Sequence, residues 1–181
     1  MRRLILLLAL SAPLSSFADG NNGWQCWQDA SDRYRVPVDL LYAISRVESG
    51  NKANIISAAN TNGTYDIGVM QINSAWLPNL RTYGITREVL LSDPCKNVNI
   101  GAWILSTSIA KYGYNWRGIG AYNAFTDSKR MIYARRVVAM YDRVVKERYT
   151  IKPDKHDAKN RGAVIARNEP SFGKWVEPSP E

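Results

Sequence analysis

The chain has 181 residues, 45% of them hydrophobic, so it is long enough for one domain around a single buried core. Its formal net charge is +8, which admits nucleic acid, anionic lipid or another acidic polymer as partner. The one histidine, His156, falls in a tail, which excludes a histidine-based metal cluster; no metal and no other cofactor is expected.

Residues 1–10 join a short basic start, Arg2-Arg3, to an apolar run, and Ser16-Phe17-Ala18 puts small residues where a signal peptidase cuts. Residues 1–18 are therefore expected to be a cleaved secretory signal. The competing reading is a membrane anchor, but the run is short for a bilayer and Pro13 interrupts it. No other stretch could cross a membrane, so no stable anchor is expected. Export argues against nucleic acid as partner. Cys26 and Cys95 in an exported chain point to one disulfide; two buried free thiols or pairing between chains are the alternatives.

The elements then follow in order. A short helix is expected over 24–34, with Cys26 and Trp27 inward. A second covers 38–49: Pro37 suits its first turn, Gly50 and Asn51 its stop, and Leu40, Leu41, Ile44 and Val47 mark its buried stripe. Residues 55–67 read as a loop with a small hairpin, because Asn62-Gly63 tolerates positive φ. Residues 71–80 hold one turn of helix, ended near Pro78. Thr86 caps a short helix over 87–91. A longer helix runs over 98–112, with Ile100, Trp103, Ile104 and Thr107 on one side and Gly113 as stop. Asn115 caps 116–124. Asp127 or Ser128 caps a last helix through about 149, with Met131, Ala134, Val138, Tyr141 and Val145 inward. Residues 152–181 are sparse in apolar residues and broken by prolines, so they read as a mobile tail, with a docking peptide around Phe172 and Trp175 as the alternative. The domain proper is then 19–151.

Glu48 is the candidate for chemistry. It lies on the apolar face, four residues after Ile44 and seven after Leu41. Partial desolvation there favours the neutral, proton-donating form that a general acid needs near neutral pH. The bland alternative is a helix-end carboxylate that pairs with Arg46. Gly68 would let backbone pass close to a ligand or to the helix bearing Glu48. Asp66 either satisfies the hairpin backbone or faces Glu48 across a cleft. Trp76, Tyr83, Tyr112, Tyr114 and Trp116 are core residues or sugar platforms, core being the commoner fate.

Glu48-Ser49, then Gly68-Val69-Met70-Gln71-Ile72-Asn73, then Ala121-Tyr122-Asn123-Ala124 resemble the three ordered motifs of the lysozyme-like lytic transglycosylases. The resemblance covers about 24–149 and is closest to the small members that accompany type III secretion, conjugation and pilus machines. Residues 60–76 also resemble the matching hairpin of chicken-type lysozymes, including an aspartate at Asp66. The resemblance implies a mainly α, lysozyme-like α+β fold with a small hairpin lobe and a glycan groove. It implies Glu48 as catalytic acid and base, Ser49 positioning it, Met70 and Gln71 lining the cleft, and Tyr122 and Asn123 beside the carboxyl; Met70 could equally be core, and core is the preferred reading for Ile72. Asp66, absent from typical members, would stabilise positive charge at the anomeric carbon. Phe125 replaces the usual glycine after the third motif, so the helix ends differently there or a subsite is narrowed.

The expected function is lytic transglycosylation of peptidoglycan strands in the periplasm of a Gram-negative bacterium. The protein would be a monomer, opening the wall locally for a secretion, conjugation or pilus apparatus. A muramidase using Glu48 and Asp66, and a catalytically weak glycan-binding adaptor, are the rival readings.

Overall fold

The computed structural model describes residues 22–150. Its elements run α1 (Asn22–Tyr34), α2 (Val38–Glu48), β1 (Asp66–Ile67), β2 (Ile72–Asn73), α3 (Leu77–Arg81), α4 (Arg87–Ser92), α5 (Pro94–Tyr112), α6 (Trp116–Gly120) and α7 (Asp127–Thr150). A single 3-10 turn, Ser74–Trp76, joins β2 to α3. The molecule is thus mainly helical with a small antiparallel lobe, as expected. The secretory signal expected over 1–18 and the tail expected over 152–181 lie outside the described residues.

α2 is central. Leu40, Leu41 and Ile44 have no exposed surface, and burial of each contributes about 2 kcal/mol. Gly50 and Asn51 both adopt left-handed φ of 63°, which turns the chain out of the helix directly after Glu48-Ser49. α2 packs on α7, α7 on α6, and α1 on α5. Cys26 and Cys95 form a disulfide across 69 positions and bind α1 to the start of α5. Chain entropy alone puts its worth at about 4 kcal/mol.

Several boundaries differ from expectation, each for a local reason. α5 begins at Pro94, not at 98, because Asp93 accepts from the Lys96 N–H at 2.8 Å and Pro94 suits the first turn. Pro78 starts α3 rather than ending a helix. α6 stops at Gly120, so the Ala121–Ala124 motif lies in turns instead of on a helix. Thr107 faces solvent and returns its hydroxyl to the Trp103 carbonyl at 2.9 Å. The inward face of α7 is Arg130, Tyr133, Ala134, Val137 and Val144; of the expected set, Ala134 alone is fully buried.

The lobe contains two nested turns. Asn62-Gly63 makes the outer one, with Gly63 at φ 78° and Asn60 N–H bonded to the Thr64 carbonyl at 2.6 Å. The inner turn spans 68–71 and joins β1 to β2, pairing Asp66 with Asn73 and Ile67 with Ile72. Only the outer turn carries the Asn-Gly signature. The inner one depends on Gly68 at φ 75° and on Gln71, a non-glycine held at φ 49°.

Candidate active site

Glu48 is the last residue of α2, where the helix meets both the inner turn and α7. The Tyr133 hydroxyl donates to Glu48 Oε1 at 2.6 Å. Burial pushes the Glu48 carboxyl up to about 7; the Tyr133 hydrogen bond opposes this, the negative charge of Asp66 adds to it, and Arg136 opposes it. At neutral pH about half of such carboxyls carry their proton. Burial, with the Glu48 charge beside it, also pushes the Tyr133 phenol well up, so it stays a neutral donor.

Ser49 is buried and binds two elements. Its Oγ donates to the Val69 carbonyl at 2.7 Å and to the Ser45 carbonyl at 3.2 Å. The inner turn is thereby tied to the end of α2. Asn97 of α5 holds that turn from the other side. Its fully buried amide accepts from Met70 N–H at 2.8 Å and donates to the carbonyls of Ile67 at 2.9 Å and Leu90 at 3.1 Å. A Cβ at Gly68 would collide with the Asn97 amide, so glycine is required there for space as well as for φ.

The expected site residues have different surroundings. Met70, expected to contact sugar, puts its side chain wholly in the core, pressed against Gly101; Ile72 is core too. Gln71 is half-buried, and its amide donates to the Gly68 carbonyl at 2.8 Å, closing its own turn. Tyr122 comes to the site, but its hydroxyl donates to the Met70 carbonyl at 2.8 Å instead of to Glu48. Its ring stacks on Tyr133 with centroids 6.4 Å apart, so it supports the residue that does bond the acid. Asn123 is exposed on the turn after α6. Phe125 is 95% exposed and keeps an ordinary negative φ, so the earlier helix end, not a left-handed phenylalanine, accommodates it.

Asp66 is engaged by the lobe itself. Oδ1 accepts from Asn73 at 2.7 Å, and Oδ2 takes long contacts from Asn60 at 3.4 Å and Ser57 at 3.5 Å. Its charge nevertheless acts on Glu48 and on Tyr122. Turn-making and proximity to the acid therefore coexist in one carboxylate.

Three residues that sequence reasoning passed over build the site: Tyr133, Asn97 and Arg130. Arg130 is buried, donates from Nε to the Ala124 carbonyl at 3.0 Å, pairs with Asp127 at 3.2 Å, and reaches the Tyr112 hydroxyl at 3.2 Å. It packs on Gly120, where a Cβ would come within 2.5 Å of it. The turn bearing Tyr122 is thus fastened to α7. A signal for Tyr133 existed, since Tyr133, Val137 and Val144 also keep helical spacing. None marked Asn97 or Arg130, which read as ordinary polar positions.

The Transglycosylase SLT domain matches residues 25–135. Invasion protein IagB of Salmonella typhimurium is 39% identical over 151 residues, covering 82% of this chain and 91% of the relative. Protein IpgF of Shigella flexneri is 36% identical, covering 81% and 95%. X polypeptide of Escherichia coli is 37% identical over 122 residues, covering 64% and 72%. A domain match over most of the chain, with two relatives aligned along more than nine-tenths of their length, leads to one conclusion: the chain belongs to the transglycosylase SLT domain family, with its lysozyme-like fold.

Proposed function

We propose that the protein cleaves the β-1,4 bond between N-acetylmuramic acid and N-acetylglucosamine in peptidoglycan, by lytic transglycosylation. The carrying observation is Glu48, half-buried, with a pKa pushed up to about 7 and a hydrogen bond from Tyr133. The protonated carboxyl gives its proton to the glycosidic oxygen as the bond to the anomeric carbon breaks. The resulting carboxylate takes the proton of the muramic 6-hydroxyl, whose oxygen closes on the anomeric carbon. Glu48 ends protonated, the product is a 1,6-anhydromuramyl end, and no water is consumed. Ser49 and Tyr122 keep the inner turn in place through the Val69 and Met70 carbonyls, while exposed Asn123 meets sugar, and Gln71 does so beside the turn that its own amide closes.

A muramidase reading rests on Asp66, whose charge acts on Glu48 and could stabilise a cationic anomeric carbon. Its product is one water heavier. Purified protein incubated with sacculi, followed by mass analysis of the muropeptides, decides among these. Anhydro ends lost in Glu48→Gln are expected. Uncut sacculi defeat the enzyme reading, and reducing ends lost in Asp66→Asn establish the muramidase. Residues 1–18 direct export to the periplasm in this reading, and 19–151 act as a monomer. One relative is named an invasion protein, which supports a specialised task, local wall opening for a secretion, conjugation or pilus apparatus, over general wall turnover.

A further inference from the structure

Arg136 follows Tyr133 by one turn of α7, and residues three apart share a helix face. Helical side chains tend to lean toward the N-terminus, so this register puts Arg136 on the side of α7 from which Tyr133 reaches the acid. That phenol is 2.6 Å from Glu48. The register of α7 buries Tyr133, Ala134 and Val137 and leaves Arg136 exposed at the edge of the stripe.

Two other arginines of α7 are occupied. Arg130 binds Ala124, Asp127 and Tyr112, and Arg148 lies 3.0 Å from Asp39 and over the Trp24 ring. Arg136 pairs with no carboxylate among the described residues, while its charge acts on both Glu48 and Tyr133. That charge works against protonation of the acid, so the chemistry of Glu48 alone gives no reason for it. A carboxylate on the substrate does.

We propose that Arg136 is a specificity-determining residue that binds a carboxylate borne by the muramic residue beside the bond cut. This rests on the peptidoglycan reading above. The carboxylate belongs either to the stem peptide or, on peptide-free strands, to the lactyl group that peptide removal exposes. Arginine suits either, since its planar fork meets a carboxylate with two parallel hydrogen bonds.

The test is calorimetric binding of three ligands to the full-length protein carrying Glu48→Gln, with and without Arg136→Gln. The ligands are an uncharged N-acetylglucosamine oligomer, a peptide-free glycan strand and a peptide-bearing strand. Loss of Arg136 is expected to weaken an anionic strand about five- to tenfold and leave the uncharged oligomer unchanged. Arg136→Lys should recover part of the loss. Loss on the peptide-bearing strand alone assigns the stem carboxylate; loss on the peptide-free strand assigns the lactyl group. Equal loss on all three ligands, or none on any, overturns the inference. Wild-type protein that leaves sacculi uncut overturns the peptidoglycan reading and this inference with it, whereas cutting by wild type with no charge-selective loss removes this inference alone.

Discussion

The two walls around Glu48 are made in different ways. One wall is the end of α2 with the inner turn. Its own residues lie close together in the chain, within 44–73, and its backbone carbonyls and amides are gripped by the Ser49 side chain and, from α5, by Asn97. The other wall is the turn after α6 with α7. It reaches Glu48 across 85 positions, through one phenol on the acid and one stacked beside it. The near wall sets where the acid is, and the far wall sets what surrounds its proton. A side-chain wall of that kind can be altered one atom at a time, whereas a backbone wall gives way as a unit.

That contrast is open to measurement. The largest effect belongs to the acid on which both walls converge. Glu48→Gln should lower sacculus cleavage about 10³-fold. It should also change the pH dependence of stability. The Glu48 pKa is about 7 in the fold against 4.5 in the unfolded chain, so the unfolded chain releases its proton first as pH rises. Stability is then undiminished at pH values below 4.5 and falls as pH climbs toward 7, by about 3 kcal/mol in all. Denaturation midpoints taken at about pH 5 and about pH 8 should differ through this group in wild type and converge in Glu48→Gln.

Asn97→Ala comes next and breaks the near wall. It strands the Met70 amide and the Ile67 and Leu90 carbonyls, so a loss of about 3 kcal/mol is expected in urea unfolding, with activity lost alongside. Tyr133→Phe strips one atom from the far wall. Cleavage should fall about tenfold while stability drops by about 1 kcal/mol. Because the Tyr133 bond lowers the Glu48 pKa, its removal should carry the alkaline limb of the pH profile upward; an unmoved limb would mean that Tyr133 merely packs. The smallest effect is Phe125→Ser. With 95% of its surface exposed, Phe125 should contribute under about 0.5 kcal/mol to stability, and urea midpoints should coincide within error.

Local signals carried the near wall. The apolar stripe of α2, the stop at Gly50-Asn51, Thr86 as a cap and the Asn62-Gly63 turn each rest on interactions between residues a few positions apart, and each is present. The Asp93-Pro94 start of α5 is equally local, an aspartate cap followed by a first-turn proline. The acid position was legible for the same reason, because three residues on one helical face suffice to place Glu48 at the edge of a core.

By itself, the sequence determined a mainly helical chain with an acid at a helix end and a glycine-hinged turn, and it pointed to a disulfide that the structure then forms between Cys26 and Cys95. It did so because periodicity, capping and turn chemistry act over one or two turns of chain. Only the tertiary structure decided that Tyr133, not Tyr122, bonds the acid, that Met70 is core, and that Asn97 and Arg130 clasp the two turns. The physical reason is that a hydrogen bond between side chains depends on which helix faces meet. That meeting is settled by packing summed over the whole core, of which no short stretch carries a record.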